Sequence, residues 1–271
     1  MDGLAVASSY LPAPSSQLPP PISHLRSPRS LLLAPYSLLP SFRISAFNVP
    51  MIAAERAPCE SQPRTNSSGE ELANTISHCI GLIAAVFAAP VLLFAAWRSG
   101  NAGFFAGTIV FAATMFALYL VSMLYHAWPQ TRAKQTLQML DHCAIFLLIA
   151  GTYTPFSLGP LHGVWGSTIL GYIWLLAIFG VIIKATRGPL RHRGFGLFLY
   201  LAMGWSALII IRPVISNLPP GALFWLLTGG VAYTAGVLFF VNERMRYGHF
   251  IWHLFVLTGT SCHFLALLAC A

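Results

Sequence analysis

Two histidines four residues apart, His249 and His253, stand at the head of the last long apolar run of the chain. Residues i and i+4 of a helix share one face, so both imidazoles would project the same way. Such a pair can hold two corners of a tetrahedral metal. His126, at the end of a different apolar run, would supply a third. Three imidazoles with an open fourth position form the donor set of a catalytic zinc site, although imidazole also suits iron, copper and nickel. Two more groups could act at such a centre. Ser122 lies one turn before His126 and faces the same way; Asp141 and Glu243 are the only carboxylates after Glu71. Each candidate has a plainer role to be weighed. A serine hydroxyl can bond back to the preceding helical turn. An aspartate at a helix start is favoured by the dipole, an account weakened here by the scarcity of other acids. A lone buried histidine ordinarily hydrogen-bonds a neighbouring helix.

The other titratable groups read differently. His78 opens the first apolar run and falls toward the same end as the candidates above. His142, His162 and His192 lie at interfaces or in loops, where solvated rings are expected. His263 comes ten residues after His253, about 15 Å further along a helix, too far to share an ion. It reads as an interhelical or cavity residue. Glu243, between Asn242 and Arg244, reads as a solvated ion-pair partner. The five cysteines show no paired spacing of the kind thiolate zinc sites or disulfide frameworks use.

The elements that must carry these residues are membrane helices. Charged residues make up 8% of the 271-residue chain and hydrophobic ones 56%, against about 25% charged in a soluble domain. That deficit makes lipid the solvent. Apolar runs long enough to cross a bilayer, about 20 residues, occur near 76–97, 102–125, 138–158, 163–184, 195–212, 221–241 and 250–270. The predicted fold is an all-α membrane protein, a seven-transmembrane helix bundle. Short polar or Gly/Pro-rich breaks separate the runs at 98–101, 128–134, 159–163, 184–193, 212–220 and 242–248, so successive helices should be antiparallel neighbours. The fifth run is the least regular, since Arg212-Pro213 clips its end.

Orientation follows from the basic residues. If the N-terminus is cytoplasmic, the inside loops hold Arg132, Lys134, Lys184, Arg187, Arg191, Arg193, Arg244 and Arg246, and the outside loops only Arg98 and Arg212. The positive-inside bias then places the N-terminus inside and the C-terminus outside, in the cell membrane. The net charge of +8 is accounted for in this way. It forms no aromatic-interleaved patch, and nucleic-acid binding is not expected.

Residues 1–50 hold ten Ser and nine Pro and no acid after Asp2. Such a stretch cannot bury a core, so the segment 1–68 is expected to be a disordered tail ahead of the membrane domain 69–271. Its Ser and Arg content without acids resembles a transit peptide, which would place the chain in an organelle membrane. Met51, heading the short polar leader 51–69, is the alternative and preferred start.

Taken together the motifs carry a resemblance. Glu70-Glu71-x-x-Asn74-x-x-Ser77-His78-x-x-Gly81 is followed by Ser122-x-x-x-His126. Asp141-His142 then runs to Gly151-Thr-Tyr-Thr-Pro155, and His249-x-x-x-His253 precedes His263. This pattern, over residues 68–271, resembles the haemolysin III proteins, the bacterial branch of the progestin and adiponectin receptor (PAQR) family. The resemblance implies a seven-helix bundle with zinc near the cytoplasmic side, held by His126, His249 and His253. It also implies that Asp141 bonds the metal's water and that Ser122 lies beside the metal. The receptor branch is linked to ceramide hydrolysis, and the haemolysin III branch is named for red-cell lysis and a proposed pore.

The function expected on these grounds is zinc-assisted hydrolysis of a lipid amide or ester with an acyl chain, drawn from the surrounding membrane lipids. Asp141 would orient the water and accept its proton, and Ser122 would bond the water or the oxyanion. A pore former is the alternative, disfavoured because the runs carry almost no polar stripe. A sensor whose metal only braces the bundle is a third reading.

Overall fold

The computed structural model describes residues 66–188, 193–242 and 244–271. The tail expected over 1–68 lies outside them except for its last three residues, as do Cys59, Arg191, His192 and Glu243. Among the described residues there is no strand. The helices are α1 (Ser68–Arg98), α2 (Ala102–Ala127), α3 (Arg132–Leu158), α4 (Val164–Arg187), α5 (Arg193–Gly204), α6 (Ile211–Asn217), α7 (Pro220–Val241) and α8 (Gly248–Leu268), with a 3-10 segment, Trp205–Ile210, between α5 and α6. Taken as one element over Gly194–Asn217, α5, the 3-10 segment and α6 form the fifth of seven apolar helices long enough to cross a bilayer. The chain is an integral membrane protein of seven helices.

Why the helices sit as they do is clearest in α1. Leu72, Ile76, Ile80, Ile83, Phe87, Val91 and Phe94 recur every three or four residues and are all exposed. They form one face, turned outward. The opposite face buries Glu70, Asn74, Ser77, His78, Gly81 and Ala85. Apolar side chains lose nothing by facing lipid, so the inner face is free to carry small and polar residues. That inner face packs on α2 and α8, which closes the bundle; α2 packs on α3, α3 on α4, and α7 on α8. Close approach depends on Gly107 of α2, which lies against the backbone of Thr154 and Pro155 in α3, leaving no room for a Cβ. One apolar core, with Phe104, Phe111, Met115 and Phe156, joins α1, α2, α3 and α8. A smaller one, Phe146, Ile173, Ala177 and Met203, joins α3, α4 and α5.

Three expected boundaries are displaced, each for a local reason. Helix α1 starts at Ser68, eight residues before the apolar run at 76. Ser67 caps it, its hydroxyl accepting from the Glu70 amide while the Glu70 carboxylate accepts from the Ser67 amide at 2.9 Å, a reciprocal capping box. Helix α3 starts at Arg132 and not at 138, with Thr131 as its cap. Hydropathy finds the lipid-immersed length and misses polar first turns. The fifth element reaches Asn217, beyond the expected end at 212, so Arg212 lies in a helix and not in a loop. Pro213 does not stop it, because it falls in the first turn of α6, where its missing N–H would have no intrahelical partner. Just before it the helix tightens to 3-10. The freed backbone groups meet the Tyr153 hydroxyl, which lies 3.1 and 2.9 Å from the carbonyls of Met203 and Gly204 and accepts from the Ala207 amide at 2.9 Å.

Arg98, Arg132, Lys134, Lys184, Arg187 and Arg193, like Arg212, are expected in loops and lie in helices instead. Lys134 (α3) and Lys184 (α4) are both buried.

Candidate metal centre

The N-termini of α1, α3 and α8 and the C-terminus of α2 meet at one end of the bundle, the end at which Arg132, Lys134, Lys184, Arg187, Arg244 and Arg246 also lie. There His126, His249 and His253 come together. One ligand atom from each lies within 4.8 Å of the others. The ring centroids are 5.0 Å apart for His126 and His249, 5.0 Å for His126 and His253, and 4.6 Å for His249 and His253. Residues from two distant parts of the chain thus present their imidazoles to one point, an arrangement that can hold a metal ion.

The donor set fits a small ion. The Nδ1 of His126 is taken up by Glu71 Oε2 at 2.8 Å, and the Nδ1 of His253 lies 2.9 Å from Ser77 Oγ. The second nitrogen of His126, Nε2, is fully buried and has no hydrogen-bond partner among the described residues. A buried polar atom without a partner is costly, and an ion between the three rings would remove that cost. Imidazole donors suit a transition metal and not the oxygen-seeking calcium or magnesium.

Ser122 is 1% exposed, and its Oγ has no partner among the described residues. The plain role considered for it, a bond back to the preceding turn, is not made. Thr108, Thr152 and Thr154 all make that bond, at 2.8 Å, to the carbonyl four residues earlier. Asp141 is buried, and it is the tenth residue of α3. Dipole stabilisation fades within the first turn, so the helix start no longer accounts for it. His142 is half-buried and donates through Nδ1 to the Gln138 carbonyl at 2.7 Å; it is not a solvated loop residue. His162 is exposed, as expected.

A cavity of about 400 Å³ runs from this end into the bundle. Ser122, Asp141, His249, His253 and His78 line it at the histidine end, and His263 lines it elsewhere. Most of its wall is apolar, with Leu148, Ile149, Leu208, Ile211, Leu227 and Val256 among the lining residues.

His78, which the sequence places toward this end, joins the centre, whereas the supporting Glu71 and Glu70 escaped the reading of spacing alone. His78 stacks on His253, with ring centroids 3.7 Å apart and planes within 10°. Glu71 also pairs with Lys134 of α3, Nζ to Oε2 3.5 Å. Glu70 accepts from the Tyr247 amide at 2.8 Å, at the residue that caps α8 with a φ of 58°, and so ties the start of α8 to α1. The signal was present. Once the capping box sets the start of α1 at Ser68, Glu70, Asn74, Ser77 and Gly81 fall at i, i+4, i+7 and i+11, the period of a single helix face.

Comparison with known proteins agrees with this architecture. A family profile described as "Haemolysin-III related" matches residues 66–264. The chain is 41% identical to "Hemolysin-3" of Bacillus cereus over 199 residues, 73% of this chain and 90% of that protein. It is 38% identical to "Hemolysin-3 homolog" of Bacillus subtilis (strain 168) over 199 residues, 73% of this chain and 93% of the other. A more distant relative is the human "Monocyte to macrophage differentiation factor", 30% identical over 168 residues, 58% of this chain and 67% of that one. With its profile covering almost all the described residues and its histidines gathered at one end of a seven-helix bundle, this chain belongs to the haemolysin III-related family.

Proposed function

We propose that this protein is a zinc-dependent hydrolase of lipid amides or esters, with His126, His249 and His253 as the metal's protein ligands. One observation carries the reading: of the three imidazoles that come together, those of His249 and His253 line an apolar cavity along with Asp141 and the unpartnered Ser122 hydroxyl. When bound, zinc supplies Lewis-acid polarisation of the scissile carbonyl and activation of water near neutral pH. The chain's own groups do the rest. The Asp141 carboxylate orients the attacking water, takes its proton and returns it to the leaving amine or alcohol. Ser122 Oγ donates to the developing oxyanion. The apolar wall holds the acyl chain and keeps bulk water from the reacting carbonyl.

The purified protein in detergent is expected to release fatty acid from a ceramide or a simple acyl ester. Chelation should abolish that release and zinc should restore it. Undiminished release after complete metal removal would overturn the zinc reading; no release from any amide or ester by zinc-loaded protein would overturn the hydrolase. A lytic pore is the competing function, suggested by the names of the bacterial relatives. The outward faces speak against it. The exposed side chains of α1, α4 and α7 include Phe87, Phe94, Leu175, Ile182, Phe224 and Leu238, which offer no polar stripe from which copies could line a pore.

The same reading places the basic end, and with it the metal centre, at the cytoplasmic face of the cell membrane. Cys270, two residues past α8 at the other end, is then extracellular. An impermeant thiol reagent should label it on intact cells, and labelling only after lysis would reverse the orientation.

A further inference from the structure

The hydrogen bonds that α1 makes to two of the histidines fix more than their position. Ser77 has a single hydroxyl proton. Its Oγ lies 2.7 Å from the Asn74 carbonyl and 2.9 Å from His253 Nδ1. The carbonyl can only accept, so the serine proton goes to Asn74. Ser77 can then offer His253 only a lone pair, and His253 must carry its proton on Nδ1. Its Nε2 lone pair is left for a metal. Glu71 imposes the same state on His126. The carboxylate oxygen 2.8 Å from Nδ1 accepts, so Nδ1 is the protonated nitrogen and the buried Nε2 is the donor to a metal. With that proton in place, the Asn74 Nδ2 at 3.5 Å faces another donor and adds no bond.

From this we infer that Glu71 and Ser77 are positioning residues for the metal centre: α1, which supplies no ligand, sets the tautomer and ring orientation of His126 and His253. The two differ in kind. Glu71 also pairs with Lys134, so it joins α1, α2 and α3 in one charged contact. Ser77 works through a neutral relay that begins at a helix carbonyl. Outer partners of this sort typically change metal affinity by about 10–100-fold when removed.

The inference rests on the proposed zinc site, and the test separates the two. Zinc affinity of the purified full-length protein is measured by competition with a chelating dye. Cobalt is also substituted and its visible absorption recorded, since ring reorientation alters that spectrum. Glu71→Leu and Ser77→Ala should each weaken zinc by about 10–100-fold and shift the cobalt bands. Ser77→Thr keeps a hydroxyl and should restore both. Glu71→Gln keeps an accepting oxygen, and its affinity should fall between wild type and Glu71→Leu. Melting of the metal-free forms shows whether the variants are folded. Should Glu71→Leu fail to fold, Ser77→Ala against Ser77→Thr still decides the case. Wild-type affinity and an unshifted cobalt spectrum in Ser77→Ala, and in Glu71→Leu where it folds, would overturn the positioning role while leaving the zinc site standing. Wild-type protein that binds neither zinc nor cobalt would remove the site itself.

Discussion

Purified protein carrying His253→Ala is expected to hold almost no zinc, and His126→Ala and His249→Ala should lose most of theirs. Loss of an outer hydrogen-bond partner costs about 10–100-fold in affinity; loss of one of three ligands should exceed that range. His253 should be the most sensitive. It is 1% exposed, stacked on His78 and bonded to Ser77, so the alanine also leaves a hole among polar groups. Metal binding is coupled to folding where ligands come from separate elements. Here they come from α2 and α8, which α1 separates along one wall of the bundle. Thermal melting should therefore show a larger zinc-dependent rise in the wild type than in any of the three variants. Elemental analysis finding one zinc per chain in all three would exclude these histidines as the ligands.

Much of this centre could be read before any coordinates. The i, i+4 spacing of His249 and His253 and the position of His126 at the end of its run were sufficient to bring three rings to one depth. The number of spans was legible for a similar reason: a bilayer sets the length of an apolar run, and short loops force neighbours to alternate. The helix starts were harder. A hydropathy window weights lipid-immersed length, whereas the actual starts at Ser68 and Arg132 are set by hydroxyl caps in polar sequence. That miss concealed the supporting shell. With α1 begun at 76, Glu70 and Glu71 fall ahead of the helix; with α1 begun at Ser68, they face α8, α2 and α3. The breakdown of the fifth element into 3-10 was illegible for another reason. It depends on the Tyr153 hydroxyl, fifty residues away in sequence, which faces the Met203 and Gly204 carbonyls as a donor and accepts from the Ala207 amide, groups that a regular helix would satisfy itself.

The contrast between hydroxyls adds a further point. In a membrane helix a Ser or Thr normally bonds the carbonyl of the preceding turn, as Thr108, Thr152, Thr154, Thr228 and Thr258 all do here. Ser122 is helical and buried like several of these, yet its oxygen takes no partner among the described residues. A sequence reading cannot separate it from the others, because the difference lies in rotamer and surroundings and not in residue type. The separation bears on the proposed hydrolysis: the Ser122 proton is not committed to the backbone, and its residue lines the cavity that His249 and His253 also line.

Asp141→Asn is expected to keep the metal and lose the chemistry. Asparagine preserves the shape of the side chain and can still hydrogen-bond, but it cannot take a proton from water. Loss of a general base typically costs about 10²–10⁴-fold in rate, so lipid hydrolysis should fall by that order while zinc content stays near one per chain. The position of Asp141 favours this outcome. It lies on the cavity wall with Ser122, His249 and His253, and it does not belong to the histidine cluster whose ligand atoms converge. An aspartate within a span costs about 2.5–3.5 kcal/mol at the helix centre and less toward an interface. A membrane helix that carries one nine residues past its start, beyond the reach of the dipole, needs a function to set against that cost. His253→Ala should lose both zinc and turnover, so the two variants together separate binding the metal from using it. Zinc loss in Asp141→Asn would make the aspartate a ligand. Undiminished turnover in a zinc-loaded Asp141→Asn protein would leave the proposed hydrolysis without its base, and the proton acceptor would then have to be sought among the other groups that line the cavity, His78 and His142 first.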